Sequence, residues 1–391
     1  MAKSKVQDAT NAAHCPPPGE HNPTMPGQVV LVMQGGGALG AFQAGVYQAL
    51  HESGIEPDWV VGTSIGAING ALIAGNPPSL RLARLREFWQ GVASGVVASS
   101  IAPTMAPAVS WPWMTVAPWL PNLNTVAFGV PGFFQPNPGA WLGPRHPLEI
   151  GHAGYYTTEP LRRTLSELTD PDCLAAPHTR LTLGAVAVRS GRMRYFDSRH
   201  EALGLDHVLA SGALPPAFPA VTIDGEPYWD GGIYSNTPIE VVMNDNPRRD
   251  SIIFAAELWQ QEGGTPGSIH EVISRQKDIQ YASRGESHTL RQQEIHHLRH
   301  IVRELGELLP DALKQRDDVR ELLSWGCGTV MHIVPLRAPV LAGEDHTKDI
   351  DFTAHGIAER WRAGYEQGQA AIARAAWRAP VDAEAGILVH A

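Results

Sequence analysis

Trp59-Val60-Val61-Gly62-Thr63-Ser64-Ile65-Gly66 is the stretch on which the fold turns. An apolar, β-branched run enters Gly-x-Ser-x-Gly, and the residues from Ile65 to Leu72 can continue as a helix. A strand that turns sharply into a helix at such a serine is a nucleophile elbow. Gly62 and Gly66 let the backbone turn without a Cβ in the way, so the Ser64 hydroxyl stands exposed at the turn. A helix N-terminus beneath it carries partial positive charge and favours a developing anion.

Upstream, Val29-Val30-Leu31-Val32-Met33 reads as a buried strand that runs straight into Gln34-Gly35-Gly36-Gly37-Ala38-Leu39-Gly40. Consecutive glycines leave their N–H groups unshielded and make an anion-cradling nest at a helix start. The nest at Gly35, Gly36 and Gly37 is therefore suited to the oxyanion of a tetrahedral intermediate, since fixed donors placed where charge develops are usually the largest catalytic term. A competing reading uses the same glycines. Gly35, Gly37 and Gly40 satisfy the G-x-G-x-x-G of dinucleotide sites. That motif needs a carboxylate at the end of the second strand. Here Glu56 and Asp58 precede the strand, and a serine elbow ends it. The nucleotide reading is the weaker one.

The third signal is Ile223-Asp224-Gly225-Glu226-Pro227-Tyr228-Trp229-Asp230-Gly231-Gly232, a hairpin followed by an Asp-Gly-Gly turn. It lies between Ala210-Ser211-Gly212-Ala213-Leu214-Pro215 and Ser235-Asn236-Thr237-Pro238. With the glycine loop and the elbow, in this order, these segments resemble the patatin-like phospholipase family over roughly Val29 to Pro238. Lys277 to Arg284 looks like a segment of a bacterial subgroup carrying a C-terminal helical extension. The resemblance implies a Ser64–Asp230 dyad with no catalytic histidine, Ser64 as nucleophile and Asp230 as base. It also implies an oxyanion hole around Gly36 and Gly37, joined by Ala38. Many family members carry Arg or Lys just after the glycines; this chain has Ala38 and Leu39.

A carboxylate of ordinary pKa, about 3.9, is a poor base for a serine. Desolvation would raise it, and Tyr228 and Trp229 are the expected apolar wall. The alternative base is one of the 17 histidines, none of which sits in a recognisable catalytic context. His51, His152, His207 and the group His296, His297 and His300 read as surface or helix-face residues.

Composition bounds what remains. Hydrophobic residues make up 43% of the 391, enough for a packed core. A net charge of −10 argues against a nucleic-acid partner and against bulk attraction to anionic membranes. Cys15, Cys173 and Cys327 form no motif, so neither a metal site nor a disulfide framework is expected, and no cofactor is implied. No segment approaches a transmembrane span, and residues 1–27 lack a secretory h-region. The expectation is a cytoplasmic protein able to touch a membrane peripherally, with its oligomeric state left open.

The pattern predicts an α/β fold of patatin-like type, three layers around a mostly parallel sheet. Residues 1–27 are expected as a disordered arm and 28–258 as the catalytic domain. An insertion at about 91–151 is rich in Pro, Trp and Phe (Trp111, Trp113, Trp119, Phe128, Phe133, Phe134, Trp141). It reads as aromatic packing, as a cap supplying an acyl pocket, or as both. Residues 259–391 read as a helical extension with one returning strand near 330–335. In it Ile295, Leu298, Ile301, Val302, Leu305 and Leu308 are spaced for one buried face. Arg291, Arg299, Arg303 and Arg320 are interspersed with acids, as on a solvated face.

The expected activity is hydrolysis of acyl esters of lipid-like substrates through an acyl-enzyme. The alternatives are thioester hydrolysis or acyl transfer by the same serine, and a catalytically idle acyl- or lipid-binding scaffold.

Overall fold

The computed structural model describes residues 25–99, 125–143, 145–379 and 386–390. The glycine loop follows β1 (Gln28–Met33), and helix α1 (Ala41–Glu52) leads from it. The elbow joins β2 (Trp59–Thr63) to α2 (Ile65–Ala74), and α3 (Pro78–Ser99) follows. Beyond a two-stranded pairing of β3 (Gln135–Pro136) with β4 (Tyr156–Thr157), the sheet strands are β5 (Arg180–Ala187), β6 (Met193–Asp197), β7 (Val221–Ile223), β8 (Glu226–Asp230), β9 (Ser251–Glu257), β10 (Met331–Arg337) and β11 (Ile387–Val389). Their order is β11-β10-β9-β1-β2-β5-β8-β7, with β6 also paired to β5. From β11 to β5 every pairing is parallel; β6, β7 and β8 pair antiparallel.

Side chains of β1 alternate between two cores, Val29, Leu31 and Met33 on one face, Val30 and Val32 on the other. A strand covered on both faces reads as an unbroken apolar run, and this is why no polar alternation marks it in the sequence. Helices cover both faces, giving the α/β three-layer class. The β7–β8 hairpin turns at Asp224 and Gly225, both at positive φ (51° and 79°), as a two-residue turn of this hand demands.

Several expectations are corrected. Helix α3 runs on to Ser99, into the expected insertion, with Val92 and Ala93 continuing the buried face of Leu85, Phe88 and Trp89. The arm expected over residues 1–27 falls outside the described residues as far as 24, and Met25 is packed in the core. Cys173 is buried and disulfide-bonded, whereas Cys327 keeps a free, buried thiol. The strand near 330–335 is β10, and β11 adds a second strand at its edge; both continue the sheet of the preceding residues.

The long helix α4 (Ile269–Leu308) carries the largest correction. Its apolar stripe faces solvent: Leu298 is 61% exposed, Leu305 58% and Leu308 81%. The face turned toward the protein is instead polar, with Gln292, His296 and His300 buried. His296 and His300 are thus not surface residues. Arg303 and Arg320 do lie on an exposed face, in ion pairs with Glu307 and Asp317.

Helix α5 (Ala354–Arg374) lies against α1 at a glycine seam. A Cβ at Gly364 would overlap the Phe42 carbonyl, and one at Gly45 the Trp361 carbonyl. Gly364→Val is therefore expected to cost about 1–3 kcal/mol or more, because the obstacle is backbone and cannot rotate away. Urea denaturation reads this directly, and an unchanged midpoint would mean that the two helices do not meet at this seam.

Candidate active site

The end of β2 delivers Ser64 to the carboxyl edge of the parallel sheet. Its backbone sits at φ 57°, ψ −123°, a region that residues with a side chain rarely occupy. What holds it there is close packing. A Cβ on Gly62 would overlap the Gly66 carbonyl, and one on Gly66 would overlap the Met33 carbonyl. The Ser64 N–H donates to the Ser211 hydroxyl (3.1 Å), which in turn donates to the Gly184 carbonyl (2.7 Å). Ser211 thus ties the elbow to β5.

Asp230 ends β8 with 1% of its surface exposed. Its carboxylate accepts hydrogen bonds from the Ser64 hydroxyl and from the Gly232 N–H at 2.7 Å. Burial raises its pKa from 3.8 to about 7, against the opposing pull of those two bonds. Tyr228 and Trp229 are not shown to supply the desolvation in the way expected. Trp229 points to the opposite face of β8, since side chains alternate along a strand. The cavity wall beside Asp230 carries Tyr281, with the Trp259 ring 4.8 Å from it.

The glycine loop forms the other side. The Gly35 N–H is already committed to the Asn236 carbonyl (3.3 Å), so Gly35 is corrected from the expected donor set. Its carbonyl accepts from Asn236 Nδ2 (3.0 Å) and Trp259 Nε1 (2.7 Å). Among the described residues no acceptor meets the N–H groups of Gly36, Gly37 and Ala38. Gly37 adopts φ 55° and packs against the Asp349 carbonyl, where a Cβ would collide.

A buried amide network locks loop to elbow. Gln34 accepts from the Trp259 N–H (3.2 Å) and donates to Thr237 (2.7 Å). Gln43 donates to the Gln34 carbonyl (2.6 Å), Asn69 on α2 donates to Gln43 (3.0 Å), and Trp89 donates to Asn69 (3.0 Å). Glu56 and Asp58, weighed as ribose ligands, are structural. Glu56 meets Arg81 (2.7 Å), and Asp58 accepts the Val29 N–H (2.7 Å).

Ser64 and Asp230 line a cavity of about 250 Å³ whose walls are mainly apolar, among them Ile68, Phe133, Phe134, Leu161, Phe218 and Phe352. Phe133 and Phe134 come from the aromatic insertion. They pack on Phe88, Phe218 and Phe352 as well as facing the cavity, so glue and pocket wall are the same side chains. Phe128 is exposed, and Trp111, Trp113 and Trp119 lie outside the described residues. Among the described residues no histidine lines the cavity, and no group of His, Cys, Asp and Glu could hold a metal ion. The sequence pointed to Ser64, Asp230, Gly36, Gly37 and Ala38. Trp259 and Tyr281 were missed, since no motif surrounds them, whereas Ser211 and Asn236 lay unassigned inside quoted segments.

A serine hydroxyl bonded to a carboxylate that titrates near neutrality, with free N–H donors across an apolar cavity, can pass a proton and hold a new anion. The model of the patatin-like phospholipase family matches residues 31–243, more than half of the chain, and a second model, described as patatin phospholipase, matches 279–384. Lysophospholipase nte1 of Aspergillus terreus is 61% identical over 46 residues, 12% of this chain and 3% of that protein. The putative patatin-like phospholipase domain-containing protein M110.7 of Caenorhabditis elegans is 44% identical over 59 residues, 15% and 5%. The chain thus covers only a small fraction of the length of these relatives. The crystal structure of VipD from Legionella pneumophila aligns over 88% of this chain and 66% of that one, at 14% identity and a TM-score of 0.36, a likeness too distant to bear on the site.

The raised pKa of Asp230 has a stability signature. A carboxyl whose folded pKa exceeds its unfolded value contributes stability that is fully present below about 3.8 and lost as pH rises to about 7. Asp230→Asn is therefore expected to melt several degrees above wild type at pH 8, with the gap closing toward pH 4. A pH-independent gap would mean that Asp230 is not held near pKa 7.

Proposed function

Since the chain belongs to the patatin-like phospholipase family, we propose that it is a serine hydrolase cleaving acyl esters of lipid-like substrates, with Ser64 as nucleophile and Asp230 as general base. The observation that carries this reading is the hydrogen bond from Ser64 to a carboxylate buried enough to titrate near 7. At that pKa, proton acceptance from serine and readiness at neutral pH are balanced.

The geometry supports the following steps. Ser64 Oγ attacks the ester carbonyl while its proton passes to Asp230. The oxyanion is held by the N–H groups of Gly36 and Gly37, joined by Ala38, at the positive end of the short helix that follows. Collapse expels the alkoxide, which takes the proton from Asp230 and leaves an acyl-Ser64 ester. Asp230 then draws a proton from water, hydroxide adds to the acyl carbon, and the acid departs as the proton returns to Ser64. The fixed positive φ of Ser64 and the Ser211 bond mean that the hydroxyl needs little reorganisation.

The wall of Phe133, Phe134, Leu161 and Phe352 suits an acyl chain. At about 250 Å³ the cavity is smaller than the roughly 300–1,000 Å³ of typical small-molecule sites, so the bulk of a phospholipid would remain outside. Transfer of the acyl group to another acceptor would use the same intermediate. Peripheral contact with a membrane is part of this reading, to let a lipid reach the cavity; among the described residues no helix is long and apolar enough to cross one.

Hydrolysis of a p-nitrophenyl ester series beside phospholipid vesicles tests it. Ser64→Ala and Asp230→Asn should each lower kcat at least about a thousandfold, as removal of a nucleophile or its base does. For wild type, kcat/KM should rise with pH to a plateau above about 7, as Asp230 loses its proton, and fall once the acyl chain outgrows the cavity. An Asp230→Asn protein that stays active while Ser64→Ala is dead would assign the base elsewhere.

A further inference from the structure

The inward face of α4 poses a problem that the hydrolase reading does not use. His288, Gln292, His296 and His300 recur every fourth residue, and the last three are buried. At the amino end of the sheet His296 comes near Arg248, which precedes β9, and Arg299 of the helix itself. His296 is 0% exposed, and neither of its ring nitrogens has a hydrogen-bond partner. Arg248 Nε and Arg299 Nη1 are likewise buried without one. The His296 and His300 rings are 5.8 Å apart, and Gly386 packs on both, with no room for a Cβ.

These groups act on one another as like charges. Burial first, and then Arg299, His300 and Arg248, push the His296 pKa down to about 4. Burial and Arg248 likewise depress Arg299. Among the described residues no carboxylate figures in either balance. Elsewhere the more deeply buried arginines meet carboxylates. Arg180 meets Asp197 and Asp245, and Arg360 meets Glu344 and Asp351. Burying the donor atoms of two neighbouring, half-exposed cations without hydrogen bonds is costly. Water could fill the hydrogen bonds but not cancel the repulsion.

We propose that Arg248, His296 and Arg299 form an oxyanion site at the amino ends of β9, β10 and β11, at the opposite end of the sheet from Ser64, and that its ligand is a phosphate group, free or carried by a lipid. Phosphate is preferred to carboxylate because two arginines and an unpartnered imidazole offer the donors. A tetrahedral oxyanion has oxygens for all of them and carries more charge. Arginine supplies the planar fork that phosphate recognition favours.

The full chain is melted in sodium phosphate and in sodium chloride at equal ionic strength and pH 7, as wild type, Arg248→Gln, Arg299→Gln and Arg299→Lys. Wild type is expected to melt several degrees higher in phosphate. Both Gln variants should lose most of that shift, with apparent affinity down tenfold or more, and Arg299→Lys should keep part of it. In chloride the Gln variants should melt at or above wild type, because each removes one of two repelling charges; this separates a lost site from a damaged fold. A second arm sediments the proteins with phosphatidylcholine vesicles with and without phosphatidic acid. If free phosphate gives no shift but phosphatidic acid recruits wild type and not Arg299→Gln, the phosphate is a lipid's. Equal midpoints in both salts with no selective recruitment overturn the site, as do Gln variants that keep the full shift. So would Asp382→Asn or Glu384→Gln lowering the chloride midpoint, which would make the chain's own carboxylate the counter-charge.

Discussion

Gly66 rides against the Met33 carbonyl with no space for a methyl group, and this contact fixes most of what matters in the molecule. It brings the first turn of α2 onto the last residue of β1. The glycine loop leaving β1 and the serine leaving β2 must then emerge side by side. The strained turn at Ser64 is the cost of that approach, offset by the parallel pairing of β2 with β1 and β5 and by the Ser211 bond. The buried amides of Gln34, Gln43 and Asn69 complete the clamp. Their donors and acceptors are spent on one another and on neighbouring backbone, which makes the alignment unique rather than approximate.

The same packing sets the electrostatics. Asp230 sits at the end of an antiparallel strand grafted onto the parallel sheet, under the Gly231-Gly232 turn and away from water. Desolvation raises its pKa, and two hydrogen bonds keep it from rising further. A carboxylate with ordinary solvation would be charged but indifferent to a serine proton. One with no hydrogen bonds would be neutral throughout the physiological range. The observed balance falls between these.

What could be read from the residues is what local chemistry dictates. Glycines at close approaches, a β-branched run covered on both faces, and an Asp-Gly turn at positive φ each announce themselves, and they located Ser64, Asp230 and most of the loop. What could not be read depends on partners distant in the chain. Leu298, Ile301, Leu305 and Leu308 have the spacing of a buried stripe, yet spacing says only that residues share a face, not which way the face turns. The commitment of the Gly35 N–H to Asn236 is a contact across two hundred residues. Trp259 and Tyr281 become cavity wall only through the path of the chain after β9, and the disulfide at Cys173 is likewise a matter of folding, not of spacing.

The contact of Asp349 with Gly37 has a consequence for the order in which the molecule can be completed. Serine, aspartate and glycine loop are all encoded before residue 235. The backing of that loop, and the Phe352 wall of the cavity, are encoded more than a hundred residues later. During synthesis from the amino end, Ser64, Asp230 and the glycine loop leave the ribosome well before the segment that braces them. Until residues 349 to 352 have been made, the site proposed around Ser64 stands without its backing and one of its walls.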